Sequence, residues 1–252
     1  MSWAFCREMK KAYFIADLHL GATYDRQSRE VELSAVRFLE SIKGEAAEIY
    51  LMGDVLDYWF EYKHVVPKGY VRFLGKLAEL SDSGIKITWM IGNHDIWIFD
   101  YLPKELGIKV VDGMLESEVI GTRMCLQHGD GVGGNRKFRM MRSIFRNRVC
   151  QRLYSGIHPR WTVGFAYGWS RRSRLKKAML GKLPYNLIGS IREWCELRIK
   201  SGDKSRYYVF GHLHEEYDEK LEEGRRLIVL PALCKERRYG VYDGESFRIE
   251  TF

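Results

Sequence analysis

The sequence predicts an α/β protein in which two mixed β-sheets pack face to face and are flanked by helices, with a helical insertion at about residues 134–192. Three observations lead there. Apolar runs alternate with helical spacings over the first ninety residues, the last fifty are strand-rich, and a tract of one charge sign separates the two halves. With 252 residues, five prolines and no repeat or low-complexity linker, residues 1–252 are expected to form a single domain.

Taken in order, Ala12 to Ala16 reads as a short strand, and Ser28 to Lys43 has helical spacing with Val31, Ala35, Phe38, Leu39 and Ile42 on one side. Glu48 to Met52 is the next strand. Tyr70 to Ser81 is a helix with Val71, Leu74, Leu77 and Ala78 inward, and Gly84 stops it ahead of the strand that starts at Ile85. This is a βαβαβ unit. Val119 to Gln127 and Tyr207 to Phe210 read as further buried strands, and Leu227 to Leu230, Tyr239 to Tyr242 and Phe247 to Thr251 as short strands separated by turns.

The five cysteines (6, 125, 150, 195 and 234) are odd in number, scattered and without a Cys-x-x-Cys pair, so neither a disulfide framework nor a zinc knuckle is expected, and a reducing cytoplasm fits. No run approaches the roughly 20 apolar residues of a membrane span, and the first residues lack the pattern of a signal peptide. The net charge of +8 is regional. Between Gly131 and Arg192 stand fifteen Lys or Arg and no Asp or Glu, while the remainder holds 26 basic residues against 33 acidic. A solvated helix face mixes both signs, so a one-sign tract of this length points to an anionic partner: lipid headgroups, a phosphorylated substrate or nucleic acid.

The chemistry gathers where the strands end. The first strand runs into Asp17-Leu18-His19, the second into Gly53-Asp54-Val55-Leu56-Asp57, and the third into Gly92-Asn93-His94-Asp95. Later runs lead to His128-Gly129-Asp130 and to Gly211-His212-Leu213-His214. Gly-Asn and His-Asp are also ordinary turn formers, so any one of these is weak. Five strand ends in chain order that all carry metal-ligand residue types are a joint signal for a site. Side chains at i and i+2 on an extended end point the same way, so Asp17 and His19 can converge.

This ordered pattern, Asp-x-His, Gly-Asp, Gly-Asn-His-Asp, His and Gly-His-x-His, resembles that of the calcineurin-like metallophosphoesterases, over residues 12 to about 215. Within that superfamily the chain is most similar to the UDP-2,3-diacylglucosamine pyrophosphatases of lipid A synthesis. The likeness rests on "FIADLHLGA", on "GDVLDYWFEY" with its aromatic tail, on "HGDG", and on the long basic insertion between "HGD" and "GHLH". The best-known members of that branch carry Gly-Asn-Arg-Asp where this chain has Gly-Asn-His-Asp. The resemblance implies a two-metal site in which Asp54 bridges, Asp17, His19 and His214 hold one ion, and Asn93, His128 and His212 hold the other. Two divalent ions can clamp a phosphoryl group for in-line attack. Oxygen and imidazole donors without thiolate suit Mn²⁺, with Fe, Zn²⁺ or Mg²⁺ as alternatives. In the family pattern His94 is not a ligand; it is expected to hold the phosphoryl oxygen and assist the leaving group, with Asp95 orienting its ring. Asp57 and Asp130 fit either a support for a ligand histidine or a solvated loop acid.

In the insertion, Phe138, Met141, Phe145, Val149 and Leu153 recur at steps of three or four, predicting one amphipathic helix over 135–152 with Arg139, Arg142 and Arg146 off the apolar stripe. Further on, aromatics of the 158–169 tract stand beside Arg171, Arg172 and Arg174, a mixture that suits a lipid–water interface. The resemblance implies a helical lid, with acyl chains between lid and core against Phe138, Met141 and Phe145 or their neighbours. The expected function is metal-dependent hydrolysis of the pyrophosphate of UDP-2,3-diacylglucosamine to 2,3-diacylglucosamine 1-phosphate and UMP, at the cytoplasmic surface of the inner membrane. Alternatives are a phosphoesterase acting on nucleotides, phospholipid headgroups or nucleic acid, and a scaffold without catalysis, which the intact set of expected ligands disfavours. No nucleic-acid partner is expected.

Overall fold

The computed structural model describes residues 10–22, 28–132, 136–179 and 185–252, and gives the backbone alone for 136–139, 173–179 and 185–186. Two sheets form. The first has six strands in the order β11 (Phe247–Thr251), β10 (Arg238–Tyr242), β1 (Lys11–Ile15), β2 (Ala46–Leu51), β3 (Lys86–Met90) and β4 (Lys109–Val111). Here β1 to β4 run parallel, while β10 is antiparallel to both its neighbours. The second has five strands in the order β5 (Leu115–Val119), β6 (Thr122–Gln127), β7 (Tyr207–His214), β9 (Arg226–Pro231) and β8 (Tyr217–Lys220), with parallel pairing at its centre and antiparallel pairing at both edges. Both sheets are mixed, as the sequence predicts.

The central strands β1, β2, β3, β7 and β9 are largely buried because both faces of each sheet are covered there. Along β1, Tyr13 and Ile15 pack with Phe38 and Leu39 of α1 (Ser28–Ile42) and Leu77 of α2 (Val71–Asp82), whereas Ala12 and Phe14 turn to the other sheet. Along β7, Tyr207 and Val209 meet β1 residues across the interface between the sheets, and Tyr208 and Phe210 pack outward with Ile191 and Cys195 of α7 (Tyr185–Lys200). The period of two in β-strands therefore builds three apolar clusters between four layers.

Three local readings are corrected. The predicted strand from Val119 to Gln127 is the end of one strand, a two-residue turn and a second strand. Ile120 and Gly121, at φ 43° and 76°, make the tight turn between β5 and β6 that suits the right-handed twist of a hairpin. Short elements escaped prediction: α3 (Tyr101–Leu106), β4 and β8 have too few residues for a period to show. The single helix over 135–152 is two, α4 (Arg136–Arg146) and α5 (Arg148–Ser155). The side chain of Asn147 accepts hydrogen bonds from Val149 N at 2.8 Å and Cys150 N at 3.3 Å, so it caps a new helix instead of continuing the old one. The apolar stripe breaks there: Phe145 packs on the core, while Val149 and Leu153 are exposed. Helix α6 (Pro159–Met179) follows.

Two of the arginines that lie off the apolar stripe of α4 are paired. Arg142 donates to Asp130 at 2.7 Å and to Asp112 at 2.8 Å, and Arg146 donates to the carbonyl of Ile96 at 2.7 Å and to Asp112. They pin α4 to the ends of β4 and β6. The side chain of Arg139 lies outside the described residues.

Candidate metal centre

The carboxyl ends of β1, β2, β3, β6 and β7 bring Asp17, His19, Asp54, Asn93, His94, His128, His212 and His214 to one place, the position where parallel sheets open onto a crevice. Asp17, Asp54, His19 and His128 are buried. Potential donor atoms fall into three overlapping groups, each within 4.8 Å: Asp17, His19 and His214; His19, Asp54 and His94; and Asp54, His128 and His212. Asp54 belongs to two of them. The Nε2 atoms of His19 and His214 face each other at 3.3 Å, and His212 Nδ1 faces His128 Nε2 at 3.2 Å.

The backbone that delivers these groups is strained. Asp17, His19, Asp54, His212 and His214 all have positive φ, between 45° and 68°. For residues with a Cβ this conformation costs roughly 1–2 kcal/mol each. Convergence of Asp17 and His19 therefore comes from two left-handed residues and not from an extended i, i+2 alternation. At His212 and His214 a register shift between β7 and β9 after Phe210 re-aims the side chains, so the two histidines fall into different donor groups. Glycine is required beside two of the acidic and amide groups. A Cβ on Gly53, at φ 92°, would stand 2.4 Å from His128 Nδ1, and one on Gly92 would stand 2.2 Å from Asp54 Oδ1.

Hydrogen bonds settle which atoms face inward. His128 Nδ1 is 2.8 Å from the carbonyl of Met52, which only accepts, so Nδ1 carries the proton and Nε2 is turned to Asp54 at 3.4 Å. Asp54 Oδ1 accepts from His94 N at 2.8 Å, leaving Oδ2 toward the Nε2 atoms of His19, His94 and His128 at 4.0, 3.9 and 3.4 Å. The side-chain oxygen of Asn93 is buried and accepts no hydrogen bond.

Burial alone would raise the two central carboxyls, but the surrounding imidazoles reverse this: Asp54 is held well below the usual carboxylate range, chiefly by His128 and His94, and Asp17 falls to about 2 beside His214. For His128 burial opposes the charge, yet Asp54 and Asp17 outweigh it and push the ring up to about 10. The carboxylates thus demand positive charge here. A buried oxygen with no donor, imidazole lone pairs facing one another and two ionised carboxyls fit divalent cations, and the donors are oxygen and imidazole with no cysteine among them.

Asp95 is not placed to orient His94. Its carboxylate accepts from Gly92 N at 2.7 Å, Val55 N at 3.0 Å and Trp89 Nε1 at 3.1 Å, which fastens the β3 end to the β2 end, and burial followed by the charge of Asp54 raises it to about 6. The ring of His94 lies instead on Asp57: its Nδ1 is 3.1 Å from that residue's carbonyl and 3.4 Å from Oδ1. Asp130 is buried, its carboxyl raised by desolvation despite the nearby His128 and Arg142.

Beside the centre lies a cavity of about 520 Å³. Asn93, His94 and His212 form one end, and Trp97, Met141, Phe145, Tyr154, Phe165 and Trp169 form apolar walls. Met141 and Phe145 line this cavity, while the side chains of Phe138 and Arg174 lie outside the described residues. Arg171 and Arg172 are exposed and stand apart from the centre. Trp97, Tyr154 and Tyr58 were missed by sequence reasoning; the aromatic tail of "GDVLDYWFEY" and the Trp after "GNHDI" are the signals that mark this wall.

A family model described as calcineurin-like phosphoesterase matches residues 10–216. A UDP-2,3-diacylglucosamine hydrolase of Porphyromonas gingivalis is 40% identical over 255 residues, spanning 96% of this chain and 97% of that protein. A protein of the same name from Neisseria meningitidis serogroup A is 26% identical, over 88% and 89% of the two chains. Among solved structures, a phosphoesterase from E. coli is similar with a TM-score of 0.45 and 15% identity, covering 96% of this chain and 92% of that one.

Proposed function

This chain belongs to the calcineurin-like phosphoesterase family, and we propose that it hydrolyses the pyrophosphate of UDP-2,3-diacylglucosamine, releasing UMP and 2,3-diacylglucosamine 1-phosphate, as a step of lipid A synthesis. The observation that carries the substrate class is the junction of a carboxylate–imidazole centre with an apolar cavity: His94 and Asn93 belong to both. Walls of Trp97, Met141, Phe145 and Phe165 give two acyl chains an apolar surface to lie against.

Asp17, His19 and His214 would hold one divalent ion, Asn93, His128 and His212 a second, with Asp54 shared. Mn²⁺ suits this donor set best. Ions held there polarise a phosphoryl group and make water more acidic. The chain's own groups do the remainder. The Met52 carbonyl keeps the His128 lone pair turned inward. His94 donates Nδ1–H to the carbonyl of Asp57, so in its imidazolium form Nε2–H points into the cavity end, where it can hold a phosphoryl oxygen and stabilise the departing sugar phosphate.

Helices α4 to α6 act as a lid in this reading. Of the large apolar residues exposed among the described residues, eight of thirteen fall between Met140 and Trp169, and Trp161, Phe165 and Leu153 are among the most exposed. Arg148, Arg152, Arg160, Arg171 and Arg172 belong to the same stretch of sequence, which contains no acidic residue. Rings and cations on one surface suit the headgroup level of an anionic membrane, approached from the cytoplasmic side. No described helix is long and apolar enough to cross it. The test is direct: purified protein with Mn²⁺ and UDP-2,3-diacylglucosamine should release UMP, and a panel of nucleotides, phospholipids and DNA should be turned over far more slowly. Rapid cleavage of a soluble nucleotide with no release from the lipid substrate would overturn the assignment.

A further inference from the structure

Among the described residues of the basic tract, the buried polar side chains are two hydroxyls of α6, Thr162 and Ser170. They stand two helical turns apart on the face turned to the loop after β2. Thr162 Oγ1 is 2.5 Å from Tyr62 OH, near the middle of that loop. Ser170 Oγ donates to Asp57 Oδ1 at 3.0 Å, and this oxygen belongs to a fully buried carboxylate. The same Asp57 Oδ1 is 3.5 Å from His19 Nδ1 and 3.4 Å from His94 Nδ1. The rings of His19 and His94 pack edge to face with centroids 4.8 Å apart. One carboxylate oxygen therefore meets a donor from the lid helix on one side and two imidazoles of the centre on the other.

We propose that Ser170 is a positioning residue through which the seating of helix α6 is transmitted to His94 and His19, by way of the Asp57 carboxylate. A carboxylate can rotate about its Cβ–Cγ bond, and its hydrogen-bond donors fix that angle. With Ser170 in place, Oδ1 is directed between the two Nδ1 atoms, and each ring keeps Nε2 toward Asp54. When α6 leaves, the donor leaves with it, and the rings lose their common reference. The centre is then set for catalysis only while α6 is seated on the loop after β2. What the centre catalyses rests on the preceding reading; the Ser170–Asp57–His94 contact does not.

The test compares Ser170→Ala, Ser170→Thr and Thr162→Val in the full chain. Thr162→Val removes a hydroxyl from the same face of the same helix without touching Asp57, so it reports lid anchoring alone. With Mn²⁺ and bis(p-nitrophenyl) phosphate, Ser170→Ala should lower kcat about 10-fold, as loss of a group that supports a site residue does, with KM within about twofold. Ser170→Thr, which keeps the hydroxyl, should restore most of kcat, and Thr162→Val should stay within about twofold of the parent. In the metal-free protein labelled with ¹⁵N-histidine, the imidazole signals of His94 and His19 should move in Ser170→Ala and hold still in Thr162→Val. Unmoved signals in Ser170→Ala, or an equal fall of kcat in Thr162→Val, would overturn the relay. If the parent protein cleaves no phosphate ester, the hydrolase reading fails and the imidazole signals alone decide the relay.

Discussion

Gly92 lies so close to Asp54 that a methyl group on it would stand 2.2 Å from the carboxylate oxygen and 2.4 Å from the backbone nitrogen. The ends of β2 and β3 meet there, and Asp54 Oδ1 is already held by His94 N. Gly92→Ala should therefore displace the carboxylate that two donor groups share, at a cost of about 1–3 kcal/mol in stability from overpacking. Thermal unfolding and metal analysis should show a lowered Tm together with loss of bound Mn²⁺. Full metal content in a destabilised variant would mean that Asp54 is not shared.

Three variants separate holding a metal from touching the substrate. Asp54→Asn replaces a charged bridge by a neutral amide and should cost more than the roughly 10- to 100-fold that accompanies loss of a supporting group, with lower metal content. His128→Ala should also lose metal, since its Nε2 is fixed inward by Met52. His94→Ala should lower turnover while metal content stays near that of the parent, because its ring is held by Asp57 and lines the cavity. A metal loss in His94→Ala as large as in His128→Ala would make His94 a ligand, which its 3.9 Å approach to Asp54 Oδ2 allows.

Membrane contact has an ionic part and an apolar part, and salt separates them. Substituting Arg171, Arg172 and Arg174 together by Ser should weaken binding to phosphatidylglycerol-containing vesicles by on the order of 100-fold at low ionic strength, from about 1 kcal/mol per cation at an anionic surface. The deficit should shrink as salt shortens the screening length from roughly 30 Å at 0.01 M to roughly 3 Å at 1 M. Trp161→Ala, which removes one of the most exposed rings, should weaken binding at both salt levels. Sedimentation with vesicles reads both effects, and unchanged binding by the triple variant would remove this surface from consideration.

The bond that breaks is set by which end of the substrate the cavity holds. With acyl chains against Phe145 and Trp97, the phosphate bonded to uridine falls over the metal centre, so water should attack that α-phosphorus and expel the acylated sugar phosphate. In ¹⁸O-labelled water the label should appear in UMP, read by mass spectrometry. Label in the sugar phosphate would place the other phosphorus at the centre.

Much of this protein was legible in the residue order. Five strand ends with Asp, Asn and His announced the centre before any fold was known, because a metal site needs donor types that strands seldom end on together, and the apolar runs between them announced layered sheets. The likeness of the five motifs to a family pattern then supplied an expected role for each donor. The misreadings share a cause. Helical spacing sets Arg142 and Arg146 off the apolar stripe but describes one helix and says nothing of the acids, Asp112 and Asp130, that come to meet them from beyond the ends of β4 and β6. Asp95, next to His94 in sequence, seemed its natural support, yet a bend at the strand end turns adjacent side chains apart and brings in Asp57 from the loop after β2 instead.

Sequence by itself therefore determined the composition of the site: which donors are present, on which strand ends, and beside how basic a tract. The tertiary structure decided their partnership. The left-handed turns at Asp17, His19, Asp54, His212 and His214, the pairing of His128 with the Met52 carbonyl and the reach of Ser170 to Asp57 all depend on distances between segments far apart in the chain. A strained conformation or a buried hydrogen bond persists only where packing from several elements enforces it, and that enforcement is a property of the fold, invisible in any local run of residues.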